Sequence, residues 1–239
     1  MQACAASTYA SLFALQAIIA SVLMRHTMTS PLTLVSLPLF PLHTVLFPGG
    51  YLPLRVFEQR YRMMVRCCRE QGAPFGVVTL LTGEEVQQAE GAQETFHPIG
   101  TMARIDGVAS MNSGLELIHC LGKDRFRIQR TRKLLSGLWV GDVELMPADL
   151  PIPIPQDLEH SVAALRQVLH KMPQRHLETA HAQQFADCGW VANRWCELFP
   201  LDTQLQVQLL ETASPLLRLE LVTDALERSG IVAPQHSNP

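Results

Sequence analysis

The chain has 239 residues, a formal net charge of −3 and a 47% apolar share. A chain of this length buries about 70% of its unfolded surface, so it forms one large domain, or a domain with an appendage, without needing disulfides or a metal. The negative balance excludes a chain devoted to binding nucleic acid or an anionic membrane surface, and ordinary glycine and proline contents exclude a disordered one.

Residues 1–30 stand apart from the rest. Residues 12–24 form a thirteen-residue apolar run, too short to span a bilayer, and the first arginine, Arg25, comes after that run. A secretory signal places its positive charge ahead of the apolar run. Met28 is a natural start for the folded part of the chain, so residues 1–30 are expected to be a disordered leader or an upstream misassigned start.

Residues 37–61 read LPLFPLHTVLFPGGYLPLRVFEQRY. Pro38 and Pro41 cannot donate to a sheet ladder, which places residues 35–39 at an edge or a bend. Pro48-Gly49-Gly50 is a turn, and residues 52–56 resume an extended run. A helix is predicted over 57–71, ending at Gly72, with Phe57, Tyr61, Met64, Val65 and Cys68 as its apolar stripe. Arg62, Arg66 and Arg69 fall on another face, read as solvated. Residues 75–81 are almost wholly apolar and β-rich, hence a central strand, whereas 82–95 are polar and without period, hence a loop.

Strands are expected over 98–105 and 115–121, separated by a turn at 106–114. A second turn at 122–124 leads into 125–131, where Phe126 and Ile128 alternate with Arg125, Arg127 and Gln129. Residues 138–145 close the β region. At 147–155 (PADLPIPIP) the composition shifts to a proline-rich, extended linker. Beyond it the chain reads as helices. Leu158, Val162, Leu165, Leu169 and Met172 form one stripe behind an Asp157 cap; Phe185, Cys188, Val191, Ala192, Trp195 and Leu198 form another. Asp202 caps a third helix, and Ser214-Pro215 opens a fourth that ends at Gly230. The division is a β subdomain at 31–147, a linker at 148–155, a helical subdomain at 156–230 and a disordered tail at 231–239.

Several of these segments resemble the LON substrate-binding domain family, the N-terminal domain of ATP-dependent Lon proteases, which also occurs as a standalone protein. The matching residues are Leu37 to Leu42, Val45 to Gly49, Leu52 to Leu54, and Phe57, Glu58, Arg60 and Tyr61. Further matches are Gly100, Thr101, Ala103 and Ile105, then Gly122, Arg125, Phe126 and Ile128. The resemblance implies an α+β fold: a PUA-like twisted β pseudo-barrel with one packed helix, followed by a C-terminal α-helical bundle. It also implies noncatalytic binding of unfolded or extended polypeptide segments, in an adaptor that presents them to a protease or chaperone.

The catalytic parts of a Lon protease are not legible here. A P-loop needs GxxxxGK[ST], and the Gly122-Lys123 pair is followed by Asp124 and lacks the earlier glycine. A Ser–Lys dyad needs a buried lysine of lowered pKa, and Lys123, Lys133 and Lys171 lie in a basic hairpin or on an amphipathic helix. His176 and His181 are five apart rather than four, and with His160 and His170 are read as solvent-facing, so neither a metal nor another cofactor is expected. Glu84 and Glu85 lie in the polar loop, where solubility explains them. The six cysteines (Cys4, Cys67, Cys68, Cys120, Cys188, Cys196) contain no CxxC pair and read as reduced thiols of a cytoplasmic protein. Cys68 is expected in the core, and nothing marks Cys67 as a nucleophile.

Two binding surfaces remain. Tyr51, Leu52 and Leu54 after the Pro-Gly-Gly turn, with Met111 in the 106–114 turn, are the candidate peptide-binding residues, beside an edge strand able to pair with an extended chain. The alternative is an anion or RNA surface made by Arg125, Arg127, Arg130, Arg132 and Lys133. A charge-blunted edge strand explains those residues better, given the negative net charge and the scarcity of stacking aromatics. Of Trp139, Trp190 and Trp195, the last lies on an apolar stripe and is expected in the core.

Overall fold

A computed structural model describes residues 31–86, 94–110, 116–172 and 182–233. Met1–Leu32 partition from Thr33–Pro239, and of that first unit only Pro31 and Leu32 are described. The expected leader, Met111, His176 and His181 therefore lie outside the described residues.

Six strands and one helix form the first part: β1 (Thr33–Leu42), β2 (Tyr51–Val56), α1 (Gln59–Gln71), β3 (Phe75–Thr82), β4 (Thr95–Ser110), β5 (Glu116–Lys133) and β6 (Trp139–Leu145). The sheet order is β2-β5-β4-β3-β1-β6, and β6 pairs back onto β5. Strands β5, β4, β3, β1 and β6 thus close a ring, and β2 hangs from the first half of β5. Among the described strands only β1 and β3 run parallel, joined by the crossover through β2 and α1. The helix stops at Gly72, whose φ of 63° is left-handed, and the Ala73 N–H returns to the Cys68 carbonyl at 2.9 Å.

Strand β1 lies inside the ring, yet its prolines obey the edge rule locally. Pairing with β6 ends at Leu39, and pairing with β3 begins there. Pro38 therefore borders only β6 and Pro41 only β3, so each can turn its donorless nitrogen to an unpaired side. The bend sits earlier, at Ser36, with φ of 58° and its N–H held by Asp142 Oδ1 at 3.0 Å.

The expected turn at 122–124 is absent: β5 is one 18-residue strand. The register against β4 slips by one residue between Gly122 and Arg125, and position 122 takes no side chain because one would collide with the Phe47 carbonyl oxygen. The expected turn at 106–114 is also shorter, since Gly107 to Ser110 pair with His119 to Glu116. Phe57 lies ahead of α1 instead of on its buried stripe and is 55% exposed.

Past the sheet come a short 3-10 turn (Gln156–Leu158), α2 (Glu159–His170), a second 3-10 turn (Ala182–Ala186), α3 (Cys188–Leu198), α4 (Thr203–Glu211) and α5 (Pro215–Arg228). Asp157 sits inside the first 3-10 turn and does not cap α2, and Asp202 stands at the α4 cap position without a side-chain bond. Asp187 does cap α3, accepting from the Trp190 N–H, and Ser214 caps α5 with Pro215 behind it. Val232, placed in the tail by sequence, is buried against the helices.

The core has three patches. Phe40, Tyr61, Val65 and Phe75 pack α1 on the sheet, with the Phe40 and Tyr61 rings stacked at 3.9 Å. Leu39, Val78, Phe126 and Val143 fill the ring. Val45, Phe47 and Ile99 join the helical residues in the third, where Trp195 is buried and donates to the Ser161 carbonyl at 3.1 Å. Segment 147–155 is extended but pinned rather than loose. The Ile152 N–H donates to Asp187 Oδ1 at 3.0 Å, and the Cys188 N–H to the Ile152 carbonyl at 2.8 Å. The molecule is a mixed α/β fold, a sheet with one packed helix followed by several more.

Candidate functional site

Strand β2 ends the sheet, and its outer edge is unpaired by any described strand. Its polarity is set by one bond beyond the strand: the Gly122 N–H donates to the Gly50 carbonyl at 2.8 Å. The register continues without a shift from Tyr51 opposite Leu121 to Val56 opposite Glu116. Bonding alternates along an antiparallel ladder, so Leu52, Leu54 and Val56 bond to β5 while Tyr51, Pro53 and Arg55 turn their backbone groups outward. Pro53 thus costs the sheet no bond. It also removes one outward donor, which blunts the edge against pairing with a second copy.

Beside this edge lies a groove of about 350 Å³ that follows β2 from Pro53 through Leu54 and Arg55 to Val56 and is closed by Phe40, Leu42, Phe57, Tyr61 and Val86, with Glu58 and Glu85 also in its lining. Phe57 and Val86 are 55% and 44% exposed. The rim is organised by buried Arg60. Its guanidinium pairs with Glu58 at 3.0 Å and Glu94 at 3.5 Å, and donates to the carbonyls of Gly137 at 2.9 Å and Glu85 at 3.4 Å. Glu85 accepts the His43 N–H at 2.6 Å. Burial alone would raise the Glu94 pKa. Hydrogen bonds from Lys133 and Trp139 Nε1, with the charges of Lys133 and Arg60, overcome this and hold the carboxyl below its ordinary range.

The proposed peptide residues do not share one face. Leu54 is only 7% exposed and belongs to the core beneath the groove. Leu52 also points inward, half-buried against that core. Tyr51 is on the opposite face, its ring 5.4 Å from that of His119 and its hydroxyl hydrogen-bonded to His119 Nδ1. A period of two forbids Tyr51 and its neighbour Leu52 from facing the same ligand. Phe57, Val86 and Arg55, absent from the sequence-derived set, are what the edge actually presents.

The arginine cluster is dispersed as well, and β5 is flanked on both sides rather than being an edge. Arg125 is buried: it pairs with Asp149 at 2.7 Å and donates to the carbonyls of Leu210 at 2.7 Å and Thr212 at 3.0 Å. Arg127 pairs with Glu211 at 3.2 Å, Arg132 donates to Ser36 Oγ at 2.8 Å, and Lys133 holds Glu94 at 2.7 Å. Arg130 is exposed. A second cleft, about 510 Å³, runs between the sheet and the helices past Pro48, Gly49, Lys123, Asp149 and Trp190. Its buried Arg125 is already matched by the half-buried Asp149.

No cluster of three or more His, Cys, Asp or Glu side chains suited to a metal occurs among the described residues, and none of the described helices is long and apolar enough to cross a membrane. His160 instead meets Glu227 at 2.9 Å. Burial pushes the thiols of Cys68 and Cys188 up to about 11 and those of Cys120 and Cys196 up to about 12. Of the five described cysteines only Cys67 is exposed. Iodoacetamide at pH 8 is therefore expected to alkylate Cys67 in the native protein and to reach the other four only after unfolding, as read by peptide mass mapping. Native labelling of Cys188 or Cys196 would contradict the packing of the helices.

A family model described as the ATP-dependent protease La (LON) substrate-binding domain matches residues 36–228, through the sheet and the helices alike. The chain belongs to this LON family. The solved Lon N-terminal domain protein from Xanthomonas campestris is 34% identical, with a TM-score of 0.60 over 80% of this chain and 98% of that one. The N-terminal domain of Mycobacterium avium complex Lon protease, 18% identical at a TM-score of 0.52, shares the fold over 79% of this chain and 96% of that one. Among curated proteins, the Lon protease of Anaeromyxobacter dehalogenans is 26% identical over 199 residues, which is 80% of this chain and 23% of the protease. That of Flavobacterium johnsoniae is 35% identical over 95 residues, 39% of this chain and 11% of the protease. The chain thus spans less than a quarter of these relatives. What it shares with them is the noncatalytic LON domain.

Proposed function

We propose that this LON-family protein binds extended polypeptide segments along the outer edge of β2 without cleaving them, and presents them to a protease or chaperone in the cytoplasm. The observation that carries the reading is the open β2 edge beside an apolar groove with two exposed hydrophobic side chains in its lining. Backbone groups of Pro53 and Arg55 offer sequence-tolerant hydrogen bonds, and the groove takes alternate side chains. The substrate-binding role in the family description points the same way. In this reading the ring is a PUA-like pseudo-barrel, α2 to α5 are its helical bundle, and residues 148–155 separate the two. The five described free thiols suit a reducing compartment. RNA binding is disfavoured by the consumption of Arg125 inside the protein and of Lys133 by Glu94.

The test is fluorescence anisotropy with a labelled peptide, Ser-Val-Thr-Val-Thr-Val-Ser. Replacing Phe57 with Glu removes an apolar wall worth about 1.5–3 kcal/mol when covered, so affinity is expected to fall at least about tenfold. Because Phe57 is exposed, the thermal midpoint should stay within about 2 °C. Unchanged affinity in a folded variant would place binding away from β2.

A further inference from the structure

Arg55 is the one charged side chain on the β2 edge, and among the described residues it has no ion-pair partner. It belongs to the outer face together with Tyr51 and Pro53, while Leu54 and Val56 belong to the inner face. A segment added antiparallel to β2 repeats that alternation. Its residues opposite Val56 and Leu54 point into the groove, and the residue between them stands opposite Arg55 on the outer face.

The inward and outward positions meet different environments. The two inward side chains meet Phe40, Leu42, Tyr61 and the exposed Phe57 and Val86. Carboxylates already occupy the groove rim: Glu58 is held by Arg60, and Glu85 by the His43 N–H. An acid pointing inward would meet both and lose its water. On the outer side the situation is reversed, since Arg55 is a cation with nothing among the described residues to match it. Opposite charges directly across a strand pair stabilise it, and like charges oppose it.

We infer that the β2 edge selects extended segments in which an acidic residue lies between two apolar ones, the acid facing Arg55 and the apolar pair entering the groove. This deepens the polypeptide-binding reading above and rests on it. The backbone adds a second rule. Outward carbonyls at Arg55 and Pro53 require donors from two alternate residues of the incoming segment: the acidic residue and the second residue beyond it. Proline is excluded at those two positions. The missing N–H of Pro53 leaves one carbonyl of the bound segment to water.

The experiment compares Ser-Val-Asp-Val-Thr-Val-Ser with the Thr and Lys peptides at the same position, in anisotropy titrations on the full chain. The Asp peptide is expected to bind about fivefold tighter than the Lys peptide at low salt, a preference that fades at about 1 M salt. Arg55→Glu should invert it, so that the Lys peptide binds tighter than the Asp peptide. Backbone N-methylation at Asp, or at the Thr two residues beyond it, should abolish binding, whereas methylation at the valines should not. Pro53→Thr supplies the missing donor and should tighten all three peptides.

The outcomes separate the two levels of the proposal. Binding of the Thr peptide that Phe57→Glu removes, without any charge preference or with methylation sensitivity at the valines, overturns this selectivity and keeps the binding reading. Failure of all three peptides to bind overturns both.

Discussion

Replacing Asp149 with alanine is expected to destabilise the protein by about 3–5 kcal/mol, because it strands two buried guanidinium groups. Asp149 accepts from Arg125 at 2.7 Å and from Arg218 at 2.6 Å, and the Arg218 side chain is only 1% exposed. Arg218 also donates to the carbonyls of Leu209 at 3.0 Å and Thr212 at 2.6 Å and to Asn193 Oδ1 at 2.9 Å. Three parts of the chain meet at this carboxylate: β5, the extended 147–155 segment and α5. Burial lowers the Arg125 pKa, Asp149 opposes the shift, and Arg218 adds to it, so without Asp149 both remaining effects disfavour the charge. The carbonyls at the end of α4 cannot replace a full negative charge. Urea unfolding of the variant checks this, with Arg127→Ala as the control. Arg127 and Glu211 are both nearly half exposed, so the control should change stability by less than about 1 kcal/mol. A loss below about 1 kcal/mol for Asp149→Ala would mean that the sheet and helices do not depend on this cluster.

The second large effect is a pH dependence centred on Glu197. Burial pushes this carboxyl up to about 7, while the Arg194 guanidinium and the Phe47 backbone pull it down only in part. Arg194 pairs with Glu197 at 3.0 Å and grips the Pro48-Gly49-Gly50 turn, donating to the Gly49 carbonyl at 2.6 Å and the Pro48 carbonyl at 3.1 Å. One carboxyl oxygen, Oε1, is buried without a hydrogen-bond partner among the described residues. Any side chain at Gly50 would collide with that oxygen.

Between the ordinary value of 4.5 and about 7 the folded protein holds this proton more firmly than the unfolded chain does. Stability from this group is therefore present at low pH and lost as pH rises through that window. The gap between those two values corresponds to about 3 kcal/mol, and since 19% of the side chain is exposed, about 1–3 kcal/mol is expected. Glu94 works in the opposite direction and lower on the scale, its stabilisation being lost as pH falls below the ordinary carboxylate value. Glu197→Gln should match the parent near pH 4.5 and exceed it at pH 8, as measured by thermal midpoints across that range. Parallel pH profiles for the two proteins would rule out a protonated Glu197 in the fold.

Local chemistry made several elements readable. Gly72 ends α1, Ser214 and Pro215 start α5, and the apolar run at Phe75 becomes the interior strand β3. What escaped was decided by distant contacts. Glycine followed by lysine and aspartate reads as a turn, but Gly122 instead lies within a continuous strand where the Phe47 carbonyl approaches, some 75 residues away in sequence. Arg125 looked like a surface cation beside Arg127; its burial depends on Asp149 and Arg218, neither of which a local pattern links to it. At the binding edge, the sequence reading grouped Tyr51, Leu52 and Leu54 in one site, although a period of two puts Tyr51 and Leu54 on opposite faces. Which of them faces the core is set by pairing with β5, beginning at Gly50 and Gly122. Phe57 fitted the helical stripe by spacing, yet α1 starts two residues later, at Gln59, and leaves the ring outside.

The most direct test of peptide addition to β2 is amide hydrogen exchange, resolved by residue, with and without a saturating extended peptide. The Arg55 N–H points outward from the edge, and bound peptide should slow its exchange strongly. Leu52, Leu54 and Val56, already bonded to β5, should change little. Protection confined to the cleft beside Trp190, or to the helices, would contradict binding at this edge.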